Sequence, residues 1–285
     1  MAKTASRTTS GTIELAKTLA YAVVIALFIR TFFYEPFSIP SASMVPTLLV
    51  GDYLFVSKFS YGYSRYSLPF GYKVPGPFTE GSGRIFFRAP RRGDVVVFKL
   101  PCDYSRLQQT NPTEAGYFEQ SCSRSTDFIK RIIGLPGDRI QMQKGTLYIN
   151  GAAVPVQQMA NGYYYPDCVR AGFYPEYVET LTGEIKTGDR TETYEVKHPI
   201  LKNCRPPQLD DTPEFTVPAD HYFMMGDNRD DSADSRDPTS GVGFVPAENL
   251  VGRAQFIFFS TSASWLEPWD WLFGIRYERL LSGIR

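Results

Sequence analysis

The stretch that decides the fold is Thr146-Leu147-Tyr148-Ile149-Asn150-Gly151, a run of branched and aromatic residues that ends in Asn-Gly. Such a run is typical of a β-strand, and Asn-Gly favours the tight type I′ turn of an antiparallel hairpin. The chain of 285 residues also holds 23 Gly, 21 Pro, 18 Tyr and 21 Phe, which extends the preference for turns and strands to the whole sequence. We therefore predict a mainly β fold of antiparallel sheets.

Similar runs recur along the chain and are separated by Gly and Pro. We predict strands at Asp52–Lys58, Asp94–Lys99, Asp127–Ile133, Thr146–Asn150, Thr191–Lys197, Tyr222–Met225 and Leu250–Phe259. Two stretches between them, at about 101–126 and 156–186, lack sustained periodicity. We interpret both as insertions between the strands of one β-rich domain, residues 35–285.

The N-terminal segment is apolar. Residues 18–29 carry no charge, and the apolar character continues to Tyr34 with one interruption at Arg30. About 17 mostly apolar residues are just enough for a helix to span a bilayer, so we predict one transmembrane anchor at residues 15–34. The alternative is a secretory signal that is cleaved off, because the uncharged run also has the length of a signal-peptide core.

Charge decides the predicted orientation of this anchor. Lys3, Arg7 and Lys17 precede the centre of the span, so the positive-inside rule puts residues 1–14 in the cytoplasm. The rest of the chain is then periplasmic or extracytoplasmic, and the lipid bilayer of the cytoplasmic (inner) membrane is one partner. Thirty basic and thirty acidic residues cancel, which argues against a nucleic-acid partner.

Four cysteines fit an oxidising compartment, where an even number indicates disulfides. Pairing of neighbours along the chain would join Cys102 to Cys122 and Cys168 to Cys204, while two other connectivities stay open. The spacing of the cysteines matches no zinc site, and His198 and His221 are the only imidazoles in the sequence. We predict no metal and no organic cofactor.

Two segments carry candidate chemistry. Ser41 and Ser43 lie two residues apart between prolines, which is also common in ordinary turns. Lys130 interrupts the predicted strand 127–133. On an alternating strand Lys130 and Arg131 face opposite ways, so one of the two cations should point inward. The competing interpretation is an exposed lysine that protects a strand edge.

A buried lysine can act as a base, whereas an exposed one is almost fully protonated at pH 7. Removal from water disfavours the ammonium form and can lower the lysine pKa by about 3 to 5 units. The neutral amine could then deprotonate a serine hydroxyl. A Ser-His-Asp triad with His221 and Asp227 is the alternative, although His221 heads a predicted strand.

Four blocks of sequence behind the anchor resemble the bacterial type I signal peptidases, over about residues 37–253. The blocks are residues 41–48 (SASMVPTL), 92–98 (RGDVVVF), 130–138 (KRIIGLPGD) and 226–236 (GDNRDDSADSR). The resemblance implies a membrane-bound serine endopeptidase that removes N-terminal signal peptides from exported preproteins. It also implies a serine-lysine dyad on a mainly antiparallel β-fold.

The resemblance also implies residue roles. Ser43 is the nucleophile and Lys130 the general base, while the Ser41 hydroxyl and the Ser43 N–H form the oxyanion hole. Ser232 orients the lysine amine, supported by an ion pair of Asp234 with Arg236. Small side chains of the Ala-x-Ala type would enter pockets lined by Phe37, Ile39, Met44, Leu48, Phe128 and Ile129.

Several alternatives stay open. The aspartates of block 226–236 could suggest calcium, but their spacing from Asp227 fails the EF-hand pattern at three positions. A peptidase dedicated to one secretion substrate would differ only in substrate range. An inactive membrane-tethered binding module is disfavoured because Ser41, Ser43, Lys130 and Ser232 are all present. We expect a monomer.

Overall fold

The chain folds as three antiparallel sheets preceded by one helix. The computed structural model describes residues 5–64, 66, 84–101, 126–165, 172–187, 190–202, 209–237, 241–263 and 274–285. The helix α1, Ala5–Phe32, contains a stretch of 22 residues, Gly11–Phe32, with a mean hydropathy of 1.8 and no burial inside the protein. This stretch is long and apolar enough to cross a bilayer. It overlaps the predicted anchor, and the β-domain begins at Tyr34.

Fourteen strands follow in the described part of the chain. In chain order they are β1 Tyr34–Ser38, β2 Asp52–Ser57, β3 Val95–Lys99, β4 Asp127–Gly134, β5 Arg139–Gln143, β6 Thr146–Ile149, β7 Ala152–Ala153, β8 Val156–Tyr165, β9 Gly172–Thr187, β10 Arg190–Leu201, β11 Phe215–Thr216, β12 His221–Met225, β13 Phe244–Pro246 and β14 Leu250–Ser260. All their ladders are antiparallel, which confirms the predicted fold class. Short 3₁₀ turns lie at Phe59–Tyr61, Ala247–Asn249 and Tyr277–Arg279.

The largest sheet has seven strands in the order β1-β2-β14-β3-β4-β12-β13. It is covered on both faces at its centre. Val96 and Phe98 of β3 belong to one buried cluster, while Val95 and Val97 belong to another. This two-residue alternation is what a pleated strand imposes. Strand β4 lies next to β3 in this buried centre, so its Lys130 and Arg131 are removed from water as well.

The hairpin predicted from Asn150-Gly151 forms between β6 and β7. Both residues have positive φ, 54° and 81°, as a type I′ turn requires. The hairpin belongs to a four-stranded sheet of order β11-β5-β6-β7. Gly151 adopts this backbone without strain because it has no Cβ.

The stretch predicted as the second insertion is regular rather than irregular. It forms β8 and β9, which join β10 in a three-stranded sheet of order β10-β9-β8. The lack of apolar periodicity has a physical reason: Val156, Met159 and Phe173 are exposed, so much of this sheet is held by backbone pairing rather than by burial. The sheet nevertheless buries Glu179 and Leu181 on β9.

Other predictions fall where the structure is not described. Of the first insertion, 101–126, only Pro101 and Thr126 lie within the described residues. The four cysteines lie outside them: Cys102, Cys122, Cys168 and Cys204. Their pairing therefore stays a prediction.

Candidate active site

Ser43 lies in the loop that joins β1 to β2. Met44 and Leu48 in the same loop are fully buried, and Leu48 N–H donates to the Met44 carbonyl at 2.8 Å. These two side chains fasten the loop to the core, so Ser43 is held at a fixed position with 8% of its surface exposed. Met44 and Leu48 thus pack in the core. Both were predicted to line the substrate pockets, but neither lines the cavity beside Ser43.

A second contact holds the Ser43 backbone from the other side of the site. Asn228 N–H donates to the Ser43 carbonyl at 3.1 Å, and its side-chain amide donates to the Ala42 carbonyl at 3.2 Å. Asn228 belongs to the segment Gly226–Arg236 that follows β12, which we call the catalytic-side loop. The loop that joins β1 to β2, which we call the serine loop, is therefore hydrogen-bonded directly to the catalytic-side loop.

Lys130 and Arg131 of β4 are both buried, with 3% and 0% of their surfaces exposed. The sequence predicted that one of the two cations faces inward, and both are buried because β4 has neighbours on both edges and cover on both faces. Lys130 lies opposite Val96 of β3 in the ladder. It is not the exposed edge lysine of the competing interpretation.

Ser43 and Lys130 line the same cavity, which has a volume of about 640 Å³. Ser41 lines it too, and its Oγ lies 3.4 Å from Ser43 Oγ. Four of the predicted pocket residues contribute apolar walls: Phe37, Ile39, Phe128 and Ile129. The structure therefore brings together, on one cavity, the two serines, the lysine and apolar side chains that are far apart in sequence.

Burial makes the neutral form of Lys130 more accessible than that of an exposed lysine. Burial lowers the pKa of Lys130 to about 8, with Asp234 opposing this shift and Arg236 adding to it. Among the described residues, no carboxylate forms an ion pair with Lys130. At pKa 8 about a tenth of the amines are neutral at pH 7, and half are neutral at pH 8.

The predicted ion pair of Asp234 with Arg236 is formed in the catalytic-side loop. Two bonds of 2.8 and 2.9 Å join the guanidinium to the carboxylate, and Gly226 N–H donates to the same carboxylate at 2.9 Å. Burial favours the protonated acid, but Arg236 and Gly226 N–H hold the pKa of Asp234 below its ordinary value. Both charges are fully buried beside Lys130.

Ser232 does not make the bond that the resemblance assigns to it. Its hydroxyl oxygen is buried and has no hydrogen-bond partner among the described residues. The side chain lies against Gly226 instead. The two are so close that a Cβ at position 226 would collide with the Ser232 hydroxyl, and it would also come within 2.5 Å of the Ser43 carbonyl oxygen. Gly226 thus allows the serine loop and Ser232 to approach each other closely.

The histidine triad finds no geometric support. His221 begins β12, and its Nδ1 lies 2.7 Å from the Ala219 carbonyl oxygen. Asp227 is bound elsewhere: its carboxylate accepts two bonds from Arg131, of 2.6 and 2.8 Å, and one from Thr47. The imidazole near Asp227 is that of His198, whose Nε2 lies 3.8 Å from Asp227 Oδ1.

This buried charge network was not predicted from sequence. It joins Arg131, Asp227, His198, Glu179 and Arg229, and burial together with nearby Arg131 lowers the pKa of His198 to about 3. With the imidazole neutral, the two guanidinium groups balance the two carboxylates. The network depends on the ladder register of β9 and β10, which places Glu179 opposite His198. The sequence of either strand alone does not predict this register.

Comparison with known proteins places the chain in a family. The family model described as signal peptidase, peptidase S26, matches residues 12–259. Signal peptidase I of Rickettsia typhi is 39% identical over 250 residues, 88% of this chain and 80% of that protein. Signal peptidase I of Rickettsia canadensis is 39% identical over 267 residues, 94% of this chain and 86% of that protein.

Among solved structures, a signal peptidase I from Enterococcus faecalis V583 is 22% identical; the match covers 58% of this chain and 97% of that one, with a TM-score of 0.28. The sequence matches define the chain as a serine endopeptidase. It belongs to the signal peptidase family S26.

Proposed function

We propose that this chain removes signal peptides from exported preproteins by a serine-lysine dyad, with Ser43 as nucleophile and Lys130 as general base. The observation that carries the proposal is a buried lysine on the same cavity as a buried serine, with a pKa lowered to about 8. A base with a pKa near the working pH is the most effective proton acceptor. No cofactor takes part in the proposed reaction.

The proposed reaction has two stages. Neutral Lys130 takes the proton of the Ser43 hydroxyl while Ser43 Oγ attacks the scissile carbonyl carbon. The Ser41 hydroxyl and the Ser43 N–H donate to the resulting oxyanion, and the Lys130 ammonium gives its proton to the departing amine. Water, deprotonated by Lys130, then attacks the acyl-enzyme, and the proton returns to Ser43 as the signal peptide leaves.

Substrate would lie extended along the cavity. Strand β1 ends the seven-stranded sheet, and its Pro36, Phe37 and Ser38 line the cavity. A sheet edge can receive an extended peptide through backbone hydrogen bonds, with alternate side chains entering pockets. The apolar walls of Phe37, Ile39, Phe128 and Ile129 would then favour small residues at one and three positions before the cut, the Ala-x-Ala pattern.

The helix α1 would serve as a single-pass anchor in the cytoplasmic membrane. Its apolar stretch ends at Phe32, and Glu35 just beyond it pairs with Arg30 at 3.0 Å and with Lys58 at 2.9 Å. These contacts fasten the helix end to the β-domain and would keep the cavity near the bilayer. We propose a cytoplasmic N-terminus, from the charges before the span.

The test of this function is cleavage of a preprotein whose signal ends in Ala-x-Ala, with the full chain in detergent. We expect a mature-sized product from the wild-type enzyme. Replacing the Ala three residues before the cut by Phe should reduce kcat/KM at least 100-fold, because the proposed pocket accepts a methyl group and excludes a ring. Replacing the middle residue of Ala-x-Ala by Phe is the matched control and should change kcat/KM little. Equal cleavage of both Phe substrates at the wild-type rate would contradict the pocket assignment.

The rate should rise with pH through the pKa of Lys130. Only the neutral amine accepts a proton, so kcat/KM is expected to be about tenfold below its plateau at pH 7 and to level off above pH 9. Initial rates between pH 6 and pH 10 give this profile, and circular dichroism at each pH shows that the enzyme stays folded. A flat profile between pH 6.5 and pH 9 would argue against Lys130 as the base.

A further inference from the structure

The β9–β10 hairpin reaches the catalytic-side loop through a buried ion pair. Glu179 of β9 has no exposed surface, and both of its carboxylate oxygens accept hydrogen bonds from the guanidinium of Arg229, one of them at 2.8 Å. Arg229 lies in the catalytic-side loop, three residues after Gly226. A two-bond contact of this kind fixes both the position and the plane of the guanidinium.

Backbone hydrogen bonds join the same two segments. Leu201, the last residue of β10, donates its N–H to the Asp227 carbonyl at 2.9 Å, and its own carbonyl accepts the Arg229 N–H at 2.9 Å. The end of β10 thus continues as a short parallel bridge beside the loop. The hairpin holds the loop on both sides of Asn228, whose backbone and side chain hold the serine loop.

The contact continues from Arg229 toward Lys130. The carbonyl oxygen of Arg229 accepts a hydrogen bond from Arg236 Nη2, and the same guanidinium pairs with Asp234. Asp234 and Arg236 are the charges that act most strongly on Lys130. A displacement of Arg229 would therefore move the acceptor that orients Arg236.

The buried charge network that contains Glu179 is poorly arranged if its only role is to stabilise the fold. Arg229 Nε and both ring nitrogens of His198 are buried without a hydrogen-bond partner among the described residues. Buried ion pairs are often no more stabilising than apolar side chains of the same volume, and unpartnered buried polar atoms are unfavourable. Apolar side chains in place of Glu179 and Arg229 would not supply the directional contact that the ion pair makes.

We propose that Glu179 is a positioning residue for the peptidase reaction: it fixes Arg229, which fixes Arg236 and Asp234 beside Lys130. The inference rests on the proposed function of Ser43 and Lys130. It assigns the β9–β10 hairpin a part in the reaction although none of the hairpin's described residues lines the cavity that holds Ser43 and Lys130.

The test is a double-mutant cycle on the full chain in detergent, with Glu179→Gln, Arg229→Gln and the double variant. Each single variant is expected to lower kcat about tenfold while KM changes less than twofold, and the double variant should lose no more than the worse single one. Glu192→Gln, an exposed glutamate of the same hairpin, is the matched control and should leave kcat unchanged. The double variant leaves no unpaired buried charge, so it keeps the test measurable if a single variant folds poorly.

Hydrogen exchange of residues 226–237 provides a second readout that needs no substrate. Faster exchange there in Glu179→Gln, with the Lys130 strand unchanged, would support the proposal. If the wild-type enzyme cleaves no preprotein, the proposed function fails and exchange alone decides the role of Glu179. Unchanged kcat with a lowered melting temperature, or faster exchange confined to β9 and β10, would overturn the proposal and leave Glu179 a structural residue.

Discussion

Replacing Lys130 with methionine is expected to lower kcat by about 10³- to 10⁴-fold, because the variant retains the serine but has no proton acceptor. Methionine has a similar length and is apolar, so it fits the buried site. The unfolding free energy should rise at the same time. A lysine whose pKa falls from 10.5 to about 8 on folding opposes folding at pH 7 by about 3 kcal/mol, and methionine removes this penalty.

This opposite movement of activity and stability separates a catalytic lysine from a structural one. Activity is measured by preprotein cleavage at pH 8, and stability by thermal unfolding followed by circular dichroism. Lys197→Met, at an exposed position of β10, is the control and should change neither. A Lys130→Met enzyme that retained its kcat would eliminate Lys130 as the base.

Most of the strands that the sequence predicted have a buried face, although the predicted segment Thr191–Lys197 of β10 is largely exposed. Val95–Lys99 alternates between two buried clusters, and Leu250–Ser260 contributes Leu250 to one cluster and Val251, Ala254 and Ile257 to the other. This burial favours branched side chains in both strands. Strand β8 lacks the apolar pattern of a buried strand, because Val156–Ala160 are exposed and the strand is held by backbone pairing with β9. Register is a property of two strands, so a pattern within one strand could not predict it.

The site could be predicted as a set of residues but not as a set of contacts. The resemblance selected Ser43 and Lys130, and alternation selected Lys130 or Arg131 as an inward cation. That both cations are buried follows from the cover on both faces of β4, which no single strand reveals. Similarly, no pattern in the sequence shows that the Ser232 hydroxyl is buried against Gly226 without a hydrogen-bond partner among the described residues.

Arg131, the second buried cation of β4, has a structural role rather than a catalytic one. It donates to both oxygens of Asp227 and, through Nη1, to the Gly93 carbonyl at 2.7 Å. These bonds join the turn before β3, strand β4 and the catalytic-side loop. Burial raises the pKa of Asp227, but Arg131 and its hydrogen bonds hold it below the ordinary value.

Arg131→Met is therefore expected to lower the unfolding free energy by about 3 to 5 kcal/mol at pH 7, since it leaves a buried carboxylate without its partner. That loss corresponds to a melting temperature about 10 °C lower. Arg139→Met is the matched control: its ion pair with Glu214 spans 3.7 Å between side chains about half exposed, so its loss should have little effect.

The pH dependence of this loss tests its cause. Without Arg131, burial raises the pKa of Asp227, so the carboxyl takes up a proton as the pH falls and the unpaired charge disappears. The difference in melting temperature between wild type and Arg131→Met should therefore be largest at pH 7 and smaller at pH 5. The double variant Arg131→Met with Asp227→Leu should recover part of the loss at pH 7, because neither charge is then buried alone. An equal deficit at both pH values would mean that the guanidinium acts through its packing and its bond to Gly93 rather than through the charge of Asp227.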